Sequence, residues 1–189
     1  QFLGYLNKAL RPHLLAPFRI SRGDEIQSLF GRADAIPDLV WESNVRFAHL
    51  IRFGFGVGEL TTELVPDPRL TDGPAWWNAR AALQTGVHTR RTGGVMMGFG
   101  DRDDLTLTAF ATLLQYIRGR FTDRQLTVVS QLRDGNDMVQ IARRLKITKQ
   151  AVSRIASAAG WRTYQEGENA WRKLLAEHDY FSGWNDGRI

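Results

Sequence analysis

Residues 138–157 read MVQIARRLKITKQAVSRIAS, and this stretch decides how the rest of the chain is read. Apolar residues stand at Ile141, Leu145, Ile147, Val152 and Ile155. That spacing suits two short helices burying one small face across a tight turn. A small residue is needed where the helices cross, and Ala142 meets the need. Ala142 and Val152 lie ten positions apart, the separation at which the first helix of a helix-turn-helix touches the second.

The second helix carries the sharper pattern. Thr148 is a good N-cap, because its hydroxyl can accept a hydrogen bond from an orphan amide of the first turn. Advancing about 100° per residue from Lys149 places Lys149, Gln150, Ser153, Arg154 and Ser157 between about 0° and 140°. Ala151, Val152, Ile155, Ala156, Ala158 and Ala159 fill the arc from about 180° to 340°. Lys or Arg reads guanine and Gln reads adenine in a major groove, while further cations hold phosphates. Gly is usual in the turn after Leu145, and Lys146 stands there; a Lys reaches the left-handed conformation at modest cost. The plainer alternative is an amphipathic helix pair that packs on its own domain and solvates a basic face.

Composition agrees with a soluble globular chain. Its 189 residues suffice for one large or two small domains, and hydrophobic residues make up 43% and charged residues 24%. There are no cysteines, which excludes disulfides and thiolate metal sites and fits a reducing cytoplasm. No apolar run approaches the roughly 20 residues of a membrane helix. No signal peptide is expected, and a natural start upstream of Gln1 is. The net charge of +5 is unevenly placed: residues 1–117 hold 12 Lys/Arg against 12 Asp/Glu, and residues 118–173 hold 12 against 5. A basic segment attached to a neutral one is the footprint of a polyanion-binding module.

Toward the N-terminus, residues 2–15 read as an amphipathic helix limited by Pro12 and Pro17. Residues 18–21 and 26–30 read as strands, the latter alternatively as a helix start, around the turn chemistry of Arg22-Gly23-Asp24-Glu25. A helix is expected over residues 33–50, with Pro37 in its first turn. In the strand at 51–62, Phe53, Phe55 and Val57 face one way and Gly54, Gly56 and Gly58 the other, so a backbone or a ligand lies close against the glycine side. Asp72-Gly73-Pro74 starts a helix over residues 75–83. Trp77, with Asn78 and Arg80, is a candidate site for a planar anion, and packing within the domain is the alternative. A strand is expected at 93–100, then a helix capped by Asp103 or Asp104 running to about Arg118 through Leu105, Leu107, Phe110, Leu113, Leu114 and Ile117. Thr122 caps the leading helix of the basic unit, which supplies Leu126, Val129 and Leu132 to its core and stops at Gly135. After Gly160, a last helix over residues 166–175 docks Trp171 and Leu174. The tail from Glu177 is given no role.

Several of these segments resemble one family. Arg22-Gly23-Asp24-Glu25-Ile26-Gln27, Arg52-Phe53-Gly54-Phe55-Gly56-Val57-Gly58-Glu59 and Asp72-Gly73-Pro74-Ala75-Trp76-Trp77-Asn78-Ala79-Arg80 resemble the SatD-like family of bacterial proteins. So do Phe121-Thr122-Asp123-Arg124-Gln125-Leu126 and Ala158-Ala159-Gly160-Trp161. The resemblance implies an association with stress and acid tolerance and no established reaction. The basic unit is also similar to region 4 of sigma factors. More distantly, the first part resembles the palm of nucleotidyl cyclases and GGDEF proteins. This implies a ferredoxin-like sheet and, in active palms, two Mg²⁺ ions held by carboxylates from two strands. Asp24 or Glu25 is the candidate second carboxylate. The strand bearing the first is absent from this sequence, and Arg22 replaces the first Gly of the GGDEF hairpin.

The expectation is therefore an α+β chain: a ferredoxin-like, palm-like domain over residues 1–117, then an all-α helix-turn-helix domain over residues 118–189. Lys149, Gln150, Ser153 and Arg154 face bases, while Arg143, Arg144, Lys146 and Thr148 lie near phosphates. The partners expected are double-stranded DNA and a second copy of the chain, since helix-turn-helix proteins usually bind as dimers. No cofactor and no membrane are expected, and the location is the cytoplasm. The competing reading is a Mg²⁺-dependent nucleotidyl-transferring enzyme with an accessory helix-turn-helix. A third is a protein-interaction module whose basic helix meets an acidic partner.

Overall fold

The computed structural model describes residues 2–47, 51–89 and 94–178. Residues 48–50, expected to be helical, Gly93, expected in a strand, and the tail from residue 179 lie outside them. The described chain is mixed α and β, and its helices far outweigh its strands. It divides into two compact units, residues 1–112 with 170–189, and residues 113–169. None of the described helices is long and apolar enough to cross a membrane.

The division differs in two respects from one after residue 117. It falls inside a continuous helix, and residues 170–178 join the first unit. The reason for the second difference is local. Arg172 donates to the Asp34 carbonyl at 2.7 Å and to both carboxylate oxygens of Asp38 at 2.8 and 3.0 Å.

In the first unit, helix α1 (Phe2–Ala9) precedes strands β1 (Leu14–Arg22) and β2 (Glu25–Phe30), which pair antiparallel. The first helix is shorter than its apolar spacing predicts. Pro12 sits in a short 3₁₀ turn over Arg11–His13, and extended backbone resumes at Leu14. Pro17 enters β1 at a register shift between Ala16 and Arg19, where a missing amide costs no ladder bond. Asn7 holds α1 against β1, donating to the Phe18 carbonyl at 3.2 Å and accepting from the Phe18 amide at 2.6 Å.

Helix α2 (Ile36–Phe47) leads to strand β3 (Phe53–Gly56), helix α3 (Pro74–His88) and strand β4 (Gly94–Met97). β3 and β4 pair parallel, as strands joined through a crossover helix do. The glycine face of β3 receives the backbone of α3. A Cβ at Gly54 would overlap the Ala79 carbonyl oxygen, and one at Gly56 the Ala79 amide. Helix α4 (Asp101–Gly119) follows. It starts before Asp103, because Asp104 reaches back to the amides of Gly98 and Phe99 at 3.1 and 2.8 Å.

Among the described residues the strands form two separate pairs, not the single sheet that the palm resemblance implies. A cavity of about 880 Å³ runs between them, with Ile26, Ser28 and Phe30 on one wall and Phe53, Phe55 and Arg80 on the other.

The second unit holds α5 (Asp123–Arg133), α6 (Met138–Leu145), α7 (Lys149–Ala158) and the first part of α8 (Trp161–Ala176). Its core gathers Val128, Ile141, Ala142, Val152 and Ala156, with Leu132, Leu145, Ile147, Ile155 and Trp161 packed around them. α5 presents Val128 and Leu132 to this core, one helical turn apart; of the expected Leu126, Val129 and Leu132, Val129 is fully buried as well. α8 begins five residues before the expected start, directly after Gly160, whose φ is +66°. It buries Trp171 and Leu175, not Leu174.

Candidate nucleic-acid interface

Three consecutive helices are closed by their own side chains. Thr122 and Gln125 form a reciprocal capping box at α5, with the Gln125 amide 3.2 Å from Thr122 Oγ1 and the Thr122 amide 2.8 Å from Gln125 Oε1. Asp137 and Gln140 repeat it at α6. Each box satisfies amides that a helix start would otherwise leave without partners.

The turn from α6 to α7 spans only Lys146, Ile147 and Thr148. Lys146 is left-handed, with φ 54° and ψ 44°. The Ile147 amide donates to the Ala142 carbonyl at 3.0 Å and the Lys146 amide to the Arg143 carbonyl at 3.4 Å. This is the Schellman pattern, and it turns Ile147 back into the core. Thr148 Oγ1 then accepts from the Ala151 amide at 3.1 Å, as its N-cap role requires. Val152, fully buried, and Ala142 both lie in the resulting core.

With that face buried, α7 presents the other. Lys149, Gln150, Arg154 and Ser157 are exposed, and Ser153 is half-buried between them. Arg143, Arg144, Lys146 and Thr148 are exposed at the end of α6 and in the turn. All eight expected residues therefore lie on α6, α7 and the turn between them. Arg144 is partly committed, its Nη1 donating to Gln131 Oε1 at 3.1 Å. Among the described residues Arg143, Lys146, Lys149 and Arg154 meet no carboxylate. Four exposed cations outside any ion pair carry positive charge of the kind that attracts polyanions. Sequence reasoning misses Gln131, because a contact between α5 and α6 leaves no mark in local spacing.

Behind the interface the unit is stiffened by a bidentate ion pair from α5 to α8. Arg133 Nε lies 3.2 Å from Glu168 Oε2 and Nη2 lies 2.8 Å from Oε1, with side chains 13% and 10% exposed. Beside it burial pushes the Tyr164 phenol well above the usual tyrosine range, with the Glu168 charge adding to the effect.

The other candidates stand apart. Asp24 and Glu25 are exposed at the β1–β2 turn, and Glu25 borders the cavity. Among the described residues no three His, Asp or Glu side chains come together as a metal cluster. Trp77, Asn78 and Arg80 do not converge. Trp77 is 59% exposed and donates through Nε1 to Asp72 at 2.9 Å. The Asn78 amide is committed to the Val57 carbonyl at 2.8 Å. Arg80 alone of the three reaches the cavity wall, where its aromatic neighbour on α3 is Trp76.

A mixed α+β chain with a small basic all-helical unit is the class these features define. The SatD family (SatD) model matches residues 1–175, and the chain belongs to that family. No curated protein and no solved structure matches it.

Proposed function

We propose that the chain is a DNA-binding regulatory protein of the bacterial cytoplasm. In this reading α6 and α7 are a helix-turn-helix and α7 lies in the major groove. The observation that carries it is the partition of α7: Val152 and Ala156 buried, Lys149, Gln150 and Arg154 exposed and free of carboxylates. Lys149, Gln150, Ser153 and Arg154 then read base edges, while Arg143, Arg144, Lys146 and Thr148 hold phosphates. The first unit is a palm-derived domain that senses a ligand or joins two copies. Its hairpin–helix–strand–helix order and its cavity support this assignment.

The test is binding of the purified chain to random duplex DNA, titrated against salt, with Arg143→Ala/Arg154→Ala beside wild type. The expected result is an affinity that falls steeply with salt. Each phosphate-holding cation removed should lower the salt slope by about 1. No binding at low salt would overturn the proposal and turn attention to nucleotides and Mg²⁺ at Asp24 and Glu25.

A further inference from the structure

The two strand pairs of the first unit turn open edges toward one cavity. Every residue of β2 and every residue of β3 lines it, and no residue of β4 does. The backbone fixes which groups face it, because alternate residues of a strand turn their amide and carbonyl to the same edge. The Val57 amide, next after β3, donates to the Met97 carbonyl of β4 at 3.1 Å. Phe53 and Phe55 share that edge, so Gly54 and Gly56 turn the other way. On the other side of the cavity, the Gly31 amide, next after β2, donates to the His13 carbonyl just ahead of β1 at 3.0 Å. Glu25, Gln27 and Leu29 follow it toward β1, which turns Ile26, Ser28 and Phe30 to the cavity.

Among the described residues no backbone hydrogen bond crosses the cavity from either edge. Backbone amides and carbonyls in a folded chain seek partners, and an open strand edge is a template for another strand. An extended polypeptide presents donors and acceptors at strand spacing on both of its edges, so one strand satisfies β2 and β3 together.

The order of elements says which polypeptide. β2, α2 and β3 form a strand–helix–strand unit whose two strands are not neighbours. A split unit of this kind keeps a middle place for a strand antiparallel to both. Helix α1 and β1 are the second half of a like unit. Asn7 holds α1 to β1, and Tyr5 holds it to α2, its hydroxyl donating to Glu42 and its ring lying 3.4 Å from the Arg46 guanidinium. A strand in the middle place that led into α1 would continue to β1 and skip β2, just as β2 skips the middle place on its way to β3. We propose that the cavity is the seat of a β-strand supplied by the segment of this protein that leads into α1, joining the two strand pairs into one five-stranded sheet. Ile36 and Leu39 of α2 and Trp76 and Leu83 of α3 line the same cavity. The strand is therefore covered by helices and is a short apolar run. The proposal is independent of DNA binding, and its test contains no DNA.

Amide hydrogen exchange, read residue by residue by NMR, tests it on two chains: residues 1–189, and the same chain extended by the codons that precede Gln1 in its gene. In the first, the amides of Ile26, Ser28, Gly54 and Gly56 should exchange as loop amides do, while those of Phe55 and Val57 exchange slowly. In the extended chain the same four should slow by on the order of a hundredfold, and the thermal unfolding midpoint should rise. A proline in the middle of the added apolar run should abolish both effects, because it removes a ladder donor. Four slow amides already in residues 1–189 would overturn the proposal. So would an upstream sequence without an apolar run, an extended chain in which the four stay fast, or a proline variant that keeps them slow. Protection that grows with chain concentration would assign the strand to a second copy and overturn its supply from the same chain.

Discussion

Arg133 and Glu168 meet through two parallel hydrogen bonds, Nε to Oε2 at 3.2 Å and Nη2 to Oε1 at 2.8 Å, and join α5 to α8. Both side chains are nearly out of water, at 13% and 10% exposure. Removing one partner therefore strands the other as a buried charge. Glu168→Leu should cost about 3–5 kcal/mol, whereas Arg133→Met/Glu168→Leu should recover most of that loss. Urea unfolding of the single and double variants measures it, and a single variant within 1 kcal/mol of wild type, on the order of a surface pair, would contradict the argument.

Lys146 is the one described residue other than glycine with a positive φ. A left-handed conformation costs an L-residue about 1–2 kcal/mol, and glycine escapes it. Lys146→Gly should raise the unfolding free energy by about 1 kcal/mol and, under the proposed function, lower the salt slope of DNA binding by about 1. Stability and binding would then move in opposite directions. A variant that weakens in both would show that Lys146 serves the fold and not the phosphates.

The features legible in the sequence are those set by neighbours a few residues away. Thr122, Thr148, the buried Val152 and the exposed Lys149, Gln150 and Arg154 follow from capping chemistry and helical period. The glycine face of β3 is legible for the same reason. The rest depends on tertiary partners. Val128 joins the core of α6 and α7 where the spacing predicts Val129, which is also fully buried but is not part of that cluster. Asn78 looks free to bind a ligand until the Val57 carbonyl arrives from the segment just after β3, 21 residues away. Leu105 and Leu107 are indistinguishable in an apolar count, yet the first is 70% exposed and the second 1%.

Gly56 and Gly4 make an opposed pair of tests. A Cβ on Gly56 would run into the α3 backbone at Ala75 and Ala79, which cannot yield as a side chain would. Gly56→Ala should cost at or above the upper end of the roughly 1–3 kcal/mol typical of overpacking. Gly4, within α1, has no atom within 4 Å of a built Cβ. Gly4→Ala should stabilise by about 1 kcal/mol, the helix propensity difference. Equal effects in urea unfolding would show that close packing is not what the β3 glycines provide.

Tyr164 gives an alkaline signature. Burial raises its folded pKa above the ordinary value of 10.0. Below that ordinary value the phenol is neutral in both states, and its contribution to stability is fully present. As pH rises past it the unfolded chain loses the proton first, so stability falls until the folded pKa is reached. Wild type should therefore lose stability more steeply above about pH 10 than Tyr164→Phe. Chemical unfolding across that range tests it, and parallel profiles would refute a buried neutral phenol.

Gln150 and Arg143 separate reading from holding. Gln150 is exposed in the first turn of α7, while Arg143 is exposed in the last turn of α6. A base-facing Gln makes a bidentate contact with one adenine, so Gln150→Ala should cost about 1–3 kcal/mol at one base position and leave random-sequence binding nearly intact. A phosphate-facing Arg discriminates nothing, so Arg143→Ala should weaken every sequence alike and reduce the salt slope by about 1. Selection of binding sites from a random library, repeated with each variant, distinguishes the two. A preference unchanged by Gln150→Ala would remove that side chain from the reading face, and a preference altered by Arg143→Ala would place α6 closer to the bases than its position before the turn implies.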